Sequence, residues 1–219
     1  MIRMICLAIG YSLGMVQSAY LYGRIKNIDI REHGSKNAGA TNALRILGKK
    51  AGVTVFVIDV LKAVLAIFLV RLLFGVGYRN ILPVLILYTG LGTVLGHNYP
   101  FYLGFKGGKG IAVTMGVVLS LSLRHTPAIL AFLICLALSR YVSLSSLVMV
   151  VVFFIQAVFF TLTQTYFIRG IFPKAEFLLL ALALAALPFY THRSNIVRLK
   201  AGTEHKMGEK KESEITVEL

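Results

Sequence analysis

The sequence predicts an all-α, polytopic integral membrane helical bundle, on three observations. Hydrophobic residues make up 57% of the 219, with a mean hydropathy of +0.78, whereas soluble domains sit at roughly 45–50% apolar. The apolar residues gather into long runs rather than amphipathic stripes, and the basic residues concentrate in the segments between those runs. Helices of a polytopic protein pack as one bundle, so a single membrane-embedded domain over 1–202 is expected. The charged stretch 203–219 reads as a disordered tail.

In order, the apolar runs fall at 4–22, 53–74, 82–96, 111–123, 126–139, 144–162 and 176–190, seven transmembrane helices at about 20 residues per crossing. The first run lacks a small-residue cleavage site, so the N-terminus is expected to be retained. The fourth and fifth are short. At about 1.5 Å of rise per residue each covers only about 20 Å of a roughly 30 Å core, so they draw on flanking residues, lie in thinned bilayer or form a re-entrant pair. Joined as one helix they would carry Arg124 and His125 near mid-membrane, where an arginine costs about 2.5–3.5 kcal/mol. Pro127 would also remove a helix hydrogen bond, so two helices are the better reading.

Sidedness follows from parity. The loops at 23–52, 97–110 and 140–143 and the C-terminal tail share one side and hold sixteen of the 23 Lys and Arg residues, against six on the other side and Lys62 within a span. The positive-inside rule makes the richer side cytoplasmic, with the N-terminus outside and the C-terminus inside. The net charge of +14 is then topogenic rather than a sign of nucleic-acid binding. Cys6 and Cys135 lie in apolar runs and read as small buried hydrophobes. Asp59 and Lys62, three apart on one helix face, read as a pair docking the second span inside the bundle.

Each polar motif falls on the expected cytoplasmic side. Gly34 to Arg45 (GSKNAGATNALR) is glycine-punctuated. It offers backbone N–H groups, the short donors Ser35, Asn37, Thr41 and Asn42, and the fixed fork of Arg45, which together suit a phosphate. A solvated loop is the competing reading. His97 to Gly110 (HNYPFYLGFKGGKG) leads into the fourth run, and Gly107, Gly108 and Gly110 around Lys109 suit an anion nest at a helix start, or else a flexible turn. Gly110 stands where a Walker A loop needs Ser or Thr for magnesium. Arg140 to Ser143 alone is a turn with one topogenic arginine. In the last motif His192, Asn195 and Arg198, followed by Gly202 and Glu204, offer donors from neighbouring helix faces. A basic helix touching anionic lipid accounts for that motif equally well.

In this order and spacing, Gly34-Ser35-x-Asn37-x-Gly39-Ala40-Thr41-Asn42-x-x-Arg45, Gly96-His97 with Phe105 to Gly110, Arg140-Tyr141-Val142-Ser143-Leu144 and His192-Arg193-x-Asn195 resemble the PlsY family of bacterial acyl-phosphate:glycerol-3-phosphate acyltransferases. The likeness runs to about Glu204. It implies a multi-pass enzyme of the bacterial cytoplasmic membrane, with its active site facing the cytoplasm. Such an enzyme moves a fatty acyl group from acyl phosphate to the 1-hydroxyl of glycerol 3-phosphate, giving lysophosphatidate and inorganic phosphate in phospholipid synthesis.

Carried over on that resemblance, Ser35, Arg45, Lys109, His192 and Asn195 hold glycerol phosphate and act in catalysis. Gly107, Gly108, Gly110, Asn37 and Ser143 surround the acyl-phosphate head, and Gly39, Asn42 and His97 line the substrate site. His192 has a pKa suited to proton transfer near neutrality and is one candidate for the general base, while the resemblance favours the substrate's own phosphate taking the proton. No cofactor or metal is expected, since acyl phosphate is already an activated anhydride, and a monomer is expected.

The chain departs from the family at three places. Gly14 is followed by Met15, Val16 and Gln17 where Gly-Ser-x-Pro is usual, Lys36 replaces a glycine, and Val113 replaces a threonine. A His-x-x-x-x-Asp pair, used by the other large class of glycerolipid acyltransferases, is absent: the fifth residues after the five histidines are Ala38, Tyr102, Leu130, Val197 and Lys210. The rival readings are a transporter of phosphate or an organic anion, for which no internal repeat is found, and a scaffold whose basic loops bind anionic lipid.

Overall fold

A computed structural model describes residues 1–164 and 172–209; Arg169 and the part of the expected tail from 210 to 219 lie outside them. The helices are α1 (Ile2–Gly14), α2 (Ser18–Ile25), α3 (Ala40–Phe74), α4 (Leu82–Asn98), α5 (Ile111–Leu121), α6 (Thr126–Ser139), α7 (Val142–Leu162), α8 (Lys174–Thr191) and α9 (Arg193–Lys200), with 3-10 turns at Arg79–Ile81, Phe101–Leu103 and Leu123–His125. Among the described residues, five helical segments are long and apolar enough to cross a membrane: Ile2–Ile25, Ala40–Phe74, Arg79–Leu103, Val142–Leu162 and Lys174–Thr191. Two shorter apolar segments, 111–121 and 123–139, accompany them.

The break expected around Arg124 and Pro127 is present. The Ser122 hydroxyl accepts from the Arg124 N–H at 3.3 Å, and Pro127 sits in the first turn of α6, where its missing N–H is harmless.

Two helix bounds differ from expectation. The first span is not continuous, because the chain unwinds at Met15–Gln17, where polar partners take over. Val16 gives its carbonyl to Lys62 Nζ at 2.7 Å, and Gln17 Nε2 donates to the His97 carbonyl at 2.9 Å. Irregular backbone at membrane depth survives where protein groups satisfy it in this way. The second span starts earlier, at Ala40, and kinks at Gly48 (φ 85°, ψ 178°). Thr41, Asn42 and Arg45 therefore ride on the first turns of α3 rather than in a loop.

Helix α4 is central, touching α1, α3, α5 and α8, while α7 bridges α6 and α8. Leu87, Val117, Phe153 and Leu184 belong to the main apolar core. The α1–α4 contact is backbone to backbone. A Cβ on Gly10 or Gly14 would lie 2.0 or 2.2 Å from the Thr89 or Thr93 carbonyl oxygen, and one on Gly92 or Gly96 2.1 or 2.2 Å from that of Leu7 or Tyr11. This is a reciprocal small-xxx-small seam, the device by which helices associate in lipid without a hydrophobic driving force. The Asp59–Lys62 pair is internal as expected, with Nζ 2.9 Å from Asp59 Oδ1. At the far end from that pair, Arg3 forks onto Glu176, which also accepts from the Tyr88 hydroxyl at 2.9 Å, tying α1, α4 and α8.

Gly92→Val should lower the melting temperature in detergent by an amount equivalent to about 1–3 kcal/mol or more. Gly77→Ala, where nothing lies within 4 Å of the added methyl, should leave it unchanged.

Candidate active site

One cavity of about 1160 Å³ is lined by residues from all four polar motifs. The first motif is shaped by Asn42. This buried amide accepts from the Ser35 N–H at 2.9 Å and donates to the carbonyls of Ile30 (3.0 Å) and His33 (3.1 Å). Asn42 thus clamps the loop, and its polar atoms are committed to backbone instead of a ligand. Gly34 must be glycine, because its φ is +58° and a Cβ would stand 2.5 Å from Asn42 Oδ1. Lys36 also has positive φ (+57°), a conformation that a side-chain-bearing residue adopts at a penalty. Gly39 caps α3 in an extended conformation. Ser35, Asn37 and Arg45 line the cavity, and Arg45 makes no hydrogen bond or ion pair among the described residues.

The second motif is arranged differently from the expected nest. Gly107 N–H donates to the Asn98 carbonyl and Gly108 N–H to that of His97, both at 3.1 Å. Neither is left for an anion, and neither glycine lines the cavity. Their lack of side chains serves packing, since a Cβ would lie 2.0 Å from the His97 carbonyl oxygen at Gly107 and 2.1 Å from His97 Nε2 at Gly108. Gly110 (φ 81°) is the N-cap of α5, and Gly110, Ile111 and Ala112 line the cavity. The first N–H groups of that helix lack intrahelical partners.

Lys109 donates to Asn195 Oδ1. Burial lowers its pKa from 10.5 to about 8, helped by the positive charges of Arg198 and Arg45 and opposed by Glu204. His192, beyond the end of α8, donates from Nδ1 to the Pro188 carbonyl at 2.8 Å. Burial and then Lys109 push its pKa down to about 4.

A carboxylate that sequence reasoning assigned to the tail organises this end of the cavity. Glu204 accepts from Ser143 Oγ at 2.9 Å, Asn195 Nδ2 at 2.5 Å and Arg198 Nε at 2.7 Å. Burial works to raise its pKa, but these hydrogen bonds outweigh it and hold the group below the usual carboxylate range. Residues 203–209, expected to begin the tail, instead strap back over the site. Met207 N–H donates to the Arg140 carbonyl at 2.7 Å, and Arg140 Nη2 donates to the Met207 carbonyl at 3.0 Å. The available signal was Gly202, whose positive φ (+69°) after α9 marks an ordered helix end.

Besides the charged groups, Met115, Phe132 and Val142 line the cavity. A site that combines cationic donors with apolar side chains suits a ligand with an anionic head and a hydrocarbon tail.

The sequence matches the glycerol-3-phosphate acyltransferase family model over residues 4–202. The chain belongs to that family. Relatives named glycerol-3-phosphate acyltransferase from Thermoanaerobacter sp. and Halalkalibacterium halodurans are each 42% identical over 207 residues, covering 93% of this chain and 95% and 94% of theirs. The fold is similar to crystal structures of PlsY (YgiH), an integral membrane glycerol 3-phosphate acyltransferase. In its glycerol 3-phosphate form the identity is 35% and the TM-score 0.78, over 94% of this chain and 96% of that one. In its lysophosphatidic acid form the values are 36% and 0.76, over 94% and 95%. Membership of this acyltransferase family establishes the resemblance read from the motifs, and this member is an all-helical integral membrane protein.

Lys109 should lose its proton near pH 8, well below an ordinary lysine. Because Glu204 raises that pKa, Glu204→Gln should move the transition to lower pH. Titration of isotopically methylated lysines by NMR, with Lys109→Arg to assign the signal, measures both.

Proposed function

We propose that this glycerol-3-phosphate acyltransferase makes lysophosphatidate using acyl phosphate as donor, with inorganic phosphate as the other product. The observation that carries the reading is the single cavity joining Arg45, Lys109, His192 and Asn195 to the apolar wall of Met115 and Phe132. The acyl chain lies against that wall while both phosphates sit among the cations. Arg45, Lys109 and Ser35 grip glycerol phosphate with His192 and Asn195, while the start of α5 and Asn37 face the acyl-phosphate head. Ser143 acts through Glu204, as the hydrogen bond between them suggests.

The glycerol 1-hydroxyl attacks the acyl carbon, the tetrahedral oxyanion collapses, and the carbon–oxygen bond to phosphate breaks. Holding the two reactants together and stabilising developing negative charge are the main tasks, and fixed cations suit both.

The topology we propose has seven crossings, with α1 and α2 forming the first and α5 and α6 the short fourth and fifth. The N-terminus is outside, and the cavity faces the cytoplasm of a bacterial inner membrane. Residues 1–202 form one domain that the strap to residue 209 completes. The enzyme works as a monomer.

Purified protein given palmitoyl phosphate and glycerol 3-phosphate should release inorganic phosphate and form the monoacyl product without acyl-CoA, acyl carrier protein or added metal. Release no greater than that of a Lys109→Ala control would defeat the reading. Arg45→Lys should lower kcat/KM by about a hundredfold or more, because a point charge cannot replace a bidentate fork. For sidedness, a membrane-impermeant maleimide should label Gly77→Cys but not Lys49→Cys in intact cells, and the reverse in inverted vesicles.

A further inference from the structure

Beneath the Gly107–Gly110 turn, and reaching the cavity through Asp59 and His97, lies a buried polar cluster to which the proposed chemistry assigns no step. Lys62 is 6% exposed, His97 3% and Asp59 1%. The Lys62 ammonium has three N–H bonds and three acceptors around it: the Val16 carbonyl at 2.7 Å, His97 Nδ1 at 2.8 Å and Asp59 Oδ1 at 2.9 Å. Asp59 Oδ1 supplies the counter-charge and is itself held by the Ser18 hydroxyl at 2.7 Å. An ammonium carries no lone pair, so His97 Nδ1 accepts, and the one proton of the neutral ring sits on Nε2.

That Nε2 faces the place where the first two polar motifs meet. A Cβ added to Gly108 would stand 2.1 Å from it and 2.9 Å from the Ala38 carbonyl oxygen. The His97 carbonyl receives the Gly108 N–H and Gln17 Nε2. His97 thus supports the turn that ends in Lys109 through both its ring and its main chain.

We propose that Lys62 is a positioning residue for acyl transfer: it fixes His97 as the Nε2–H tautomer, whose ring and carbonyl hold the Gly107–Gly110 turn against Ala38 and so aim Lys109 into the cavity. This rests on the reading of the cavity as the acyl-transfer site. A merely structural lysine plugging the unwound Met15–Gln17 segment would stabilise the fold without any stake in which His97 nitrogen carries the proton.

Two measurements test this. In protein labelled with ¹⁵N-histidine, with His97→Gln assigning the signals, Nε2 should be protonated and Nδ1 bare. A protonated Nδ1 overturns the proposal, whatever the activity, and decides the matter even if the Lys62 variant does not fold. Kinetically, Lys62→Met, which keeps the side-chain length and removes the donors, should lower kcat/KM for glycerol 3-phosphate about ten- to hundredfold. On a His97→Gln background the same change should add almost nothing. Losses that multiply independently, or a lowered melting temperature with unchanged kcat/KM, would show that Lys62 acts on stability alone. Failure of the unaltered protein to acylate glycerol 3-phosphate at all would defeat the underlying reading, leaving the tautomer measurement to stand by itself.

Discussion

A site that must receive anions has to keep several cations close together while it is empty, and here one carboxylate makes that possible. Arg45, Lys109 and Arg198 all line one cavity, and their mutual repulsion grows as water is excluded. Glu204 takes hydrogen bonds from Ser143, Asn195 and Arg198, and Asn195 passes the chain on to Lys109. The start of α5, the start of α7, helix α9 and the strap after it are thereby joined through one negative charge. The offset is partial, since Lys109 remains depressed to about 8 by burial and its cationic neighbours. The cavity lining keeps an excess of positive charge, which favours an incoming phosphate over a neutral solute.

The glycines show how one residue type serves unrelated ends. Gly10, Gly14, Gly92 and Gly96 let two helix backbones touch, and Gly107 and Gly108 let the second motif lie directly on His97. Gly34 and Gly110, with φ of 58° and 81°, are present for their conformation beside the cavity. In the proposed site, backbone donors for a phosphate come from the first turn of α5, where N–H groups without intrahelical partners and the positive end of the helix dipole coincide.

Much of the fold was legible because lipid imposes a blunt rule: long apolar runs, and charges between them. The split at Arg124–Pro127, the internal Asp59–Lys62 pair and the convergence of four separated motifs all follow from that rule and from phosphate chemistry. What stayed hidden was settled by tertiary partners. The unwinding at Met15–Gln17 exists because Lys62 and His97 accept responsibility for the polar groups it exposes. Asn42 reads as a ligand donor until its amide is found bound to three main-chain groups. Glu204 sits in a charged stretch whose composition resembles a disordered tail, and only the arrangement of Ser143, Asn195 and Arg198 around it reveals its place.

The same geometry bears on where the proton goes in the proposed reaction. His192 has its Nδ1 proton committed to the Pro188 carbonyl, so Nε2 is the only nitrogen able to accept one. With its pKa pushed down to about 4 by burial and Lys109, that nitrogen is a weaker base than a phosphate whose second ionisation lies near 6. A neutral imidazole there is better suited to receiving a hydrogen bond from the glycerol hydroxyl, orienting it for attack, while an oxygen of the departing phosphate takes the proton. Because the donor is an activated anhydride, the protein has little bond-making chemistry to supply. Approximation alone can contribute about 7–11 kcal/mol when two reactants are held in attack geometry. That favours a rigid, glycine-packed turn and a clamped loop over a conventional base-and-nucleophile set.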